Sequence, residues 1–299
     1  MILLTGATGL VGSALLPRLT ARGLPVRCLV RDPRRLGPER VRVQIALGDL
    51  TDPPSFRNAL RGVTTVVHLA AAIRDQPEGS IEELNGIATW RMVEAAERAH
   101  VERFVFFSAL GATAHDRTRF LRAKALAEDA VTGAQALRTT VVAPSLIYAP
   151  QSPWLASLQR AALLPLVPMS GRGRAVYQPI WAEDVADCVV AILERGQDEQ
   201  TERIELAGPQ TLSFEEIVRL VVRSFGRERP VLPVPARLVR GSLRAAEALL
   251  GDRAPVTWDE LELFEVSLTS DRATSDARAL GVTPRRMADV LGVTLDTAA

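Results

Sequence analysis

Short apolar runs alternate with longer amphipathic stretches over the first half of the chain, which is the pattern of a parallel sheet covered by helices. The runs predict a first strand that begins at Ile2, and the stretches between runs predict the connecting helices. The later predicted strands are 25–31, 42–47, 65–69, 103–108 and 139–143, and the clearest helices are 80–99 and 119–128. We therefore predict an α/β fold with a doubly wound parallel sheet.

The pattern changes beyond Pro144, where prolines become frequent. We predict a strand over 175–180, and we assign the helix 183–193 and the strand 203–206 to the main sheet. Ser213, followed by Glu216 at capping-box spacing, begins a helix that reaches Phe225, and the chain from Pro233 onward is predicted to be helical. The domain prediction is 1–150 with 176–208 for the sheet domain, and 151–175 with 209–299 for a smaller, mainly helical domain.

The first apolar run leads into a Gly-x-x-Gly-x-x-Gly turn and then into an apolar helix. Glycines at this place let the backbone approach a pyrophosphate, whose charge is met by free amides at the positive end of the helix dipole. A purely structural turn is the alternative, because a glycine triplet alone is a weak signal. The predicted dinucleotide-binding residues of this turn are Gly6, Thr8, Gly9, Leu10, Val11 and Gly12.

The second strand ends in Arg31, with Asp32 and Pro33 after it. At this position an acidic residue accepts hydrogen bonds from the ribose 2′-hydroxyl of NAD, whereas an arginine accommodates the 2′-phosphate of NADP. Arg31 favours NADP(H) over NAD(H), and Arg34 and Arg35 follow it. Asp32 leaves NAD open if its side chain turns inward, although an Asp before proline is equally explained as turn chemistry.

The next strand ends bring further candidates to the same edge of the sheet. Asp49 is placed to accept from an adenine amino group, while Thr51 or Asp52 is a candidate cap for the helix that starts near Pro54. His68 is interpreted as a packed strand residue. The remaining predicted cofactor contacts are Leu50, Leu69, Ala70, Ala71 and Asn85.

Composition narrows the class of protein. The chain has a net charge of +1, which argues against a nucleic-acid-binding protein. It has no apolar run long enough to span a bilayer, and Met1 leads directly into a strand, so we expect a cytoplasmic protein without a signal peptide. Cys28 and Cys188 lack metal-ligand spacing and are expected to be buried thiols, and no metal is predicted. Lys124 is the only lysine among 36 basic residues.

These motifs together resemble the extended short-chain dehydrogenase/reductase superfamily. The segments that carry the resemblance are the glycine turn, Gly48-Asp49-Leu50, His68-Leu69-Ala70-Ala71, Asn85-Gly86, the helix with Lys124, and 178–186 with 206–214. Within it, the chain is similar to atypical members related to the reductase-like accessory subunit of respiratory complex I, and to bacterial sugar-nucleotide epimerases. The resemblance implies a Rossmann domain that binds NAD(P) and a smaller substrate domain.

The catalytic pattern of that family is only partly present. Family enzymes use Tyr-x-x-x-Lys on one helix face, and here Lys124 matches while Phe120 stands at the tyrosine position. Ser108 lies at or one residue before the family serine, and Ala109 follows it. Thr118, His115 and Tyr148 are substitute proton donors, although their structural interpretations as a helix cap, a solvated loop residue and a packed tyrosine are stronger.

Two functions remain. The first is an NADP-preferring oxidoreductase that acts on a small carbonyl or hydroxyl substrate through an altered active site. The second is a non-catalytic dinucleotide-binding subunit, assembly factor or sensor, which Phe120 favours. The oligomeric state stays open, with a homodimer through an apolar helix pair as one option.

Overall fold

The computed structural model describes residues 1–196, 200–251 and 256–293. The strands are β1 (Ile2–Thr5), β2 (Val26–Val30), β3 (Gln44–Leu47), β4 (Thr65–His68), β5 (Arg103–Phe107), β6 (Arg138–Pro144), β7 (Ile147–Tyr148), β8 (Val167–Ser170), β9 (Val176–Tyr177), β10 (Ile180–Trp181), β11 (Thr201–Leu206), β12 (Leu212–Ser213) and β13 (Val231–Val234). The helices are α1 (Leu10–Ala21), α2 (Pro53–Phe56), α3 (Ala88–Arg98), α4 (Arg119–Thr132), α5 (Pro153–Ala161), α6 (Ala182–Glu194), α7 (Phe214–Arg223), α8 (Ala236–Leu250), α9 (Trp258–Leu263), α10 (Ser275–Ala279) and α11 (Met287–Val290).

Seven strands form one sheet in the order β11-β6-β5-β4-β1-β2-β3, and every neighbouring pair is parallel. The strand order reverses between β1 and β4, so the loops that leave these two strands diverge and open a crevice at the carboxyl edge. The predicted doubly wound Rossmann sheet is confirmed. The assignment of the strand near 203–206 to this sheet is also correct, since β11 pairs with β6.

Alternating residues of the central strands enter two different cores. Leu4 and Val67 pack with α1 and α6 on one face, whereas Leu3 and Val66 pack with α3 and α4 on the other. This alternation explains why the central strands are apolar throughout, because both faces of the sheet are covered. Cys28 and Cys188 are buried free thiols, as expected.

A third hydrophobic cluster lies outside the main sheet and joins α5, α7 and the short strands of the second half, with Tyr148, Tyr177 and Phe214 among its large side chains. Its helix α7 begins with the predicted capping box: Glu216 N donates to Ser213 Oγ (3.2 Å) and Ser213 N donates to the Glu216 carboxylate (2.7 Å). The two-domain division stays a prediction, and residues 252–255 and 294–299 of the predicted smaller domain lie outside the described residues.

Three element predictions need correction. The strand predicted over 175–180 is two short pieces, β9 and β10, because Pro179 has no N–H and Gln178 N donates to Ser145 Oγ (3.0 Å). The helix predicted over 80–99 contains a π-helical turn at Glu83–Ile87 before α3 begins. The region from Pro233 onward is not wholly helical, since β13 extends to Val234 and pairs with β8.

No helix in the part of the chain that the structure describes combines the length and hydropathy that a bilayer span requires.

Candidate functional site

A cavity of about 770 Å³ opens at the carboxyl edge of the sheet, where the strand order reverses. The loops after β1, β2, β3 and β4 form its wall. Nine of the predicted cofactor-binding residues line it, namely Gly6, Thr8, Gly9, Arg31, Asp49, Leu50, Leu69, Ala70 and Ala71. Five do not line it, namely Leu10, Val11, Gly12, Asn85 and Lys124.

Backbone contacts in the glycine turn leave no room for a side chain at Gly6 or Gly12. Gly6 has φ +70°, and a Cβ there would lie 2.7 Å from Ala70 N. A Cβ on Gly12 would lie 2.2 Å from Gly6 O, so the first turn of α1 packs directly on the loop. Gly9 N donates to Gly6 O (3.0 Å), and Gly9 is the N-cap of α1. Leu10 and Val11 therefore contribute helix N-terminal amides, while Gly12 allows the close packing.

The end of β2 carries charges of both signs. The Arg31 side chain lies in the cavity wall, with Nη1 3.3 Å from Glu78 Oε2 and 4.0 Å from Asp49 Oδ2. Asp32 accepts from Arg34 N (3.0 Å) and from Arg34 Nε (3.0 Å). Asp32 makes the turn contacts predicted for it and also lines the cavity, and its ion pair with Arg34 holds the pKa of this carboxyl below its usual value.

Asp49, at the end of β3, is held by the loop that follows it. Its Oδ1 accepts from Thr51 N (2.9 Å) and from Thr51 Oγ1 (2.8 Å). The cap predicted for α2 is wrong: Thr51 binds Asp49 instead, and Asp52 occupies the N-cap position without a side-chain hydrogen bond. The physical reason is that Pro53 and Pro54 have no N–H, and the first available amide, Ser55 N, donates to Asp52 O (3.0 Å) instead of to a capping side chain.

A buried chain of hydrogen bonds fixes the end of β4 against β1. Thr89 Oγ1 donates to Asn85 O (2.5 Å), so His68 Nε2 donates to Thr89 Oγ1 (3.1 Å) and His68 Nδ1 accepts from Thr5 Oγ1 (2.9 Å). Burial, assisted by Lys124, lowers the pKa of His68 to about 3, which agrees with this neutral form. His68 is a packed strand residue, as predicted.

Asn85 acts on the same loop from the other side. Its Oδ1 accepts from Ala72 N (3.1 Å), and its Nδ2 donates to Ala72 O (2.7 Å) and to Ile81 O (2.8 Å). These bonds use both polar atoms of the amide. Asn85 therefore positions the backbone beside Ala70 and Ala71 rather than facing the cavity itself.

The three predicted catalytic residues lie outside the lining of this cavity. Lys124 is buried, and its Nζ donates to Phe107 O (2.7 Å) and lies 4.9 Å from the centre of the Phe106 ring. The Phe120 ring centre is 5.7 Å from Lys124 Nζ. Burial lowers the pKa of Lys124 to about 7. The Ser108 hydroxyl is buried without a hydrogen-bond partner among the described residues.

The substitute proton donors have other surroundings. Thr118 is the N-cap of α4, and its hydroxyl donates to Asp116 Oδ1 (2.7 Å), so the cap interpretation is confirmed. His115 is exposed in the loop before α4. Tyr148 is fully buried, and burial raises the pKa of its hydroxyl. Tyr148 is a packed tyrosine, as its structural interpretation stated.

One part of the cavity wall, the loop after β4, was not among the residues predicted from the sequence. We call residues 75–79 the strap. Asp75, Gln76, Pro77 and Glu78 of the strap line the cavity, as does Arg74 before it. Charged residues in an irregular segment after a strand were the available signal, but a surface loop has the same composition.

Comparison with known proteins agrees with this geometry. A family model described as NAD(P)H-binding matches residues 6–195. Subunit 9 of the NADH dehydrogenase (ubiquinone) 1 alpha subcomplex, a mitochondrial protein of Arabidopsis thaliana, is 27% identical over 290 residues, which cover 91% of this chain and 70% of that protein. Sterol demethylase protein B of Methylococcus capsulatus is 30% identical over 264 residues, covering 80% of this chain and 79% of that protein.

A solved structure adds support for the fold. An NADPH-dependent quinone oxidoreductase of Escherichia coli, complexed with NADPH, matches with a TM-score of 0.75 and covers 98% of this chain and 99% of its own. Its sequence identity is 16%, so this similarity concerns the fold alone.

Proposed function

The chain belongs to the NAD(P)H-binding family, and we propose that it is an NADP-preferring oxidoreductase that acts on a small carbonyl or hydroxyl substrate. The observation that carries the proposal is the cavity at the strand-order reversal, with a glycine turn at one end and arginines in its wall. A bound nicotinamide dinucleotide supplies the hydride chemistry. The chain's own residues bind and orient that group.

The site has the parts that a dinucleotide needs. No acidic residue occupies the first turn of α1, so its N-terminal amides are available to an anionic pyrophosphate. Gly6 and Gly12 keep the loop free of side chains where the backbone would approach the phosphates. The donor set therefore fits a pyrophosphate without any charged side chain in the turn.

The preference for NADP rests on the end of β2. Arg31 and Arg35 both line the cavity, and a guanidinium fork binds phosphate through paired hydrogen bonds. The carboxylate of Asp32 is engaged by Arg34, which makes it a poor acceptor for a ribose hydroxyl. Both features support binding of a 2′-phosphate.

The proton-transfer part of the site supports only slow chemistry. Phe120 has no hydroxyl, and a positioned acid or base contributes about 10² to 10⁴ in rate. Lys124 uses one of its three N–H donors on Phe107 O, and the buried ammonium lies outside the cavity lining. Turnover would then need a proton from water or from a group on the substrate.

A second candidate function is a dinucleotide-binding subunit without turnover. Phe120 and the burial of Lys124 favour it. One similar protein, from Arabidopsis thaliana, is named as a subunit of a larger NADH dehydrogenase. In this case the dinucleotide would stabilise the fold, as any ligand of the native state does.

The first experiment is a calorimetric titration of the purified protein with NADPH and with NADH, without substrate. We expect NADPH to bind at least tenfold more tightly. Replacing Arg31 by Ala should weaken NADPH binding about tenfold, which is about 1.4 kcal/mol, and should change NADH binding less than twofold. Equal losses for the two dinucleotides would contradict the 2′-phosphate assignment.

We propose a cytoplasmic location, as expected from the sequence. Fractionation of the source cells would test it.

A further inference from the structure

The strap, residues 75–79, is a tight turn held at its base. Gln76 N donates to Gly79 O (3.0 Å), and Gly79 N donates to Gln76 O (3.0 Å), so Pro77 and Glu78 form its tip. The base is anchored through Asp75, whose carboxylate accepts from Ile81 N (2.8 Å) and forms an ion pair with Arg119 (2.9 Å). These contacts fix the base of the strap, so its tip stays against the cavity.

The tip places an acidic side chain on the arginine that would select the cofactor. Glu78 Oε2 lies 3.3 Å from Arg31 Nη1, and Arg31 Nη1 donates to Gln76 Oε1 (3.3 Å). Asp49 Oδ2 approaches the same nitrogen at 4.0 Å. Arg31 thus has two carboxylates and one amide oxygen around it, all from loops of the cavity wall.

The ion pairs among the charged residues of the cavity wall show which carboxylates are left to face Arg31. Three arginines line the cavity, together with four carboxylates: Arg31, Arg35, Arg74, Asp32, Asp49, Asp75 and Glu78. Asp32 is paired with Arg34, and Asp75 is paired with Arg119, neither of which lines the cavity. The carboxylates that remain, Asp49 and Glu78, both face Arg31.

We propose that Glu78 is a specificity-determining residue that competes with the dinucleotide 2′-phosphate for Arg31. This inference rests on the proposed function. A phosphate with nearly two negative charges either displaces Glu78 from Nη1 or binds the other N–H groups of Arg31, and in both cases it lies close to that carboxylate and to Asp49. A ribose 2′-hydroxyl meets no such repulsion, because it donates a hydrogen bond to a carboxylate. Glu78 therefore reduces the preference for NADP and lets the same site hold NAD.

The test is calorimetric titration of the wild type and the Glu78→Gln variant with NADPH, NADH, 2′,5′-ADP and 5′-AMP. We expect Glu78→Gln to tighten the binding of NADPH and of 2′,5′-ADP about tenfold, and to leave NADH and 5′-AMP unchanged or up to threefold weaker. The glutamine keeps the size and the hydrogen-bonding oxygen of the side chain, so the strap should keep its conformation. Glu94→Gln makes the same charge change on α3, away from the cavity, and should alter none of the four affinities.

A double variant shows whether Glu78 acts through Arg31. In the Arg31→Ala background, Glu78→Gln should tighten NADPH binding less than the tenfold expected in the wild type, because only the direct repulsion between carboxylate and phosphate is then removed. If both dinucleotides bind and Glu78→Gln leaves their affinity ratio unchanged, the role of Glu78 is overturned while the proposed function stands. If neither dinucleotide binds the wild type or the variant, the proposed function fails and the inference fails with it.

Discussion

The two ends of the proposed site, which we call the binding end and the reacting end, are built from different chemical groups. At the end formed by the glycine turn and the strand ends, backbone amides, glycines and partly exposed charged side chains surround an open cavity. At the end of Ser108, Phe120 and Lys124, the polar groups are buried and turned inward, since Lys124 donates to Phe107 O. In the proposed function, the first end binds the dinucleotide, and the second has Phe120 where the family pattern has the proton-transferring tyrosine.

If the proposed function is correct, binding and proton transfer are built separately within this fold. Backbone-built binding depends on glycine positions and on strand order, which many other sequences can satisfy. The family pattern assigns proton transfer to a tyrosine hydroxyl, and here Phe120 occupies that position while the sheet and the cavity are present. The three experiments that follow test this contrast, from the largest expected effect to the smallest.

Disturbing the backbone packing of the binding end should weaken the binding of both dinucleotides. A Cβ at residue 12 would lie 2.2 Å from Gly6 O and 2.7 Å from Ala7 Cα. Gly12→Ala should therefore weaken NADPH and NADH binding by about 100-fold or more, and overpacking should lower the free energy of unfolding by about 1 to 3 kcal/mol. Titration calorimetry and urea denaturation measure the two effects.

The matched control is Gly241→Ala on α8, where an added Cβ meets no atom within 4 Å. This change should leave binding unaffected and should stabilise the protein by up to about 1 kcal/mol. Wild-type affinity in Gly12→Ala would mean that the turn does not contact the dinucleotide.

A hydroxyl introduced at position 120, in the reacting end, should raise the carbonyl-reducing activity. Phe120→Tyr places a phenol one helical turn from Lys124, and we expect NADPH-dependent reduction of an aldehyde and ketone panel to rise about 100-fold. Phe225→Tyr, at an exposed phenylalanine, is the control and should change nothing. If NADPH binds and Phe120→Tyr is inactive throughout the panel, the subunit function is favoured over the enzyme.

The smallest effect concerns the protonation of Lys124. Because this is the only lysine, one ¹³C-lysine side-chain resonance reports it, and burial should make it titrate at a pKa of about 7. A folded-state pKa below the unfolded value near 10.5 means that the unfolded chain binds more protons between pH 7 and 10. Over that range the wild type should gain stability relative to Lys124→Met, as measured by urea denaturation. A midpoint near 10 would show that the amine reaches water.

Much of the fold followed from local patterns. The parallel sheet, the capping box at Ser213 and the packed state of His68 were all predictable, because apolar periodicity and cap residues act over a few positions. The predictions failed where a competing hydrogen-bond partner intervened. Gln178 N binds Ser145 instead of a strand neighbour, and Ser55 N, the first amide available in α2, donates to Asp52 O rather than to a capping side chain.

The sequence by itself determined where the candidate residues of both ends stand along the chain: a glycine turn after the first strand and an arginine after the second at one end, and a phenylalanine where the family has tyrosine at the other. Only the tertiary structure decided which charges meet. Glu78 lies on a different loop from Arg31, and Lys124 turns toward Phe107 rather than toward the cavity. Side-chain pairing between separate loops depends on how the strands are ordered in space, and spacing along the chain does not encode it.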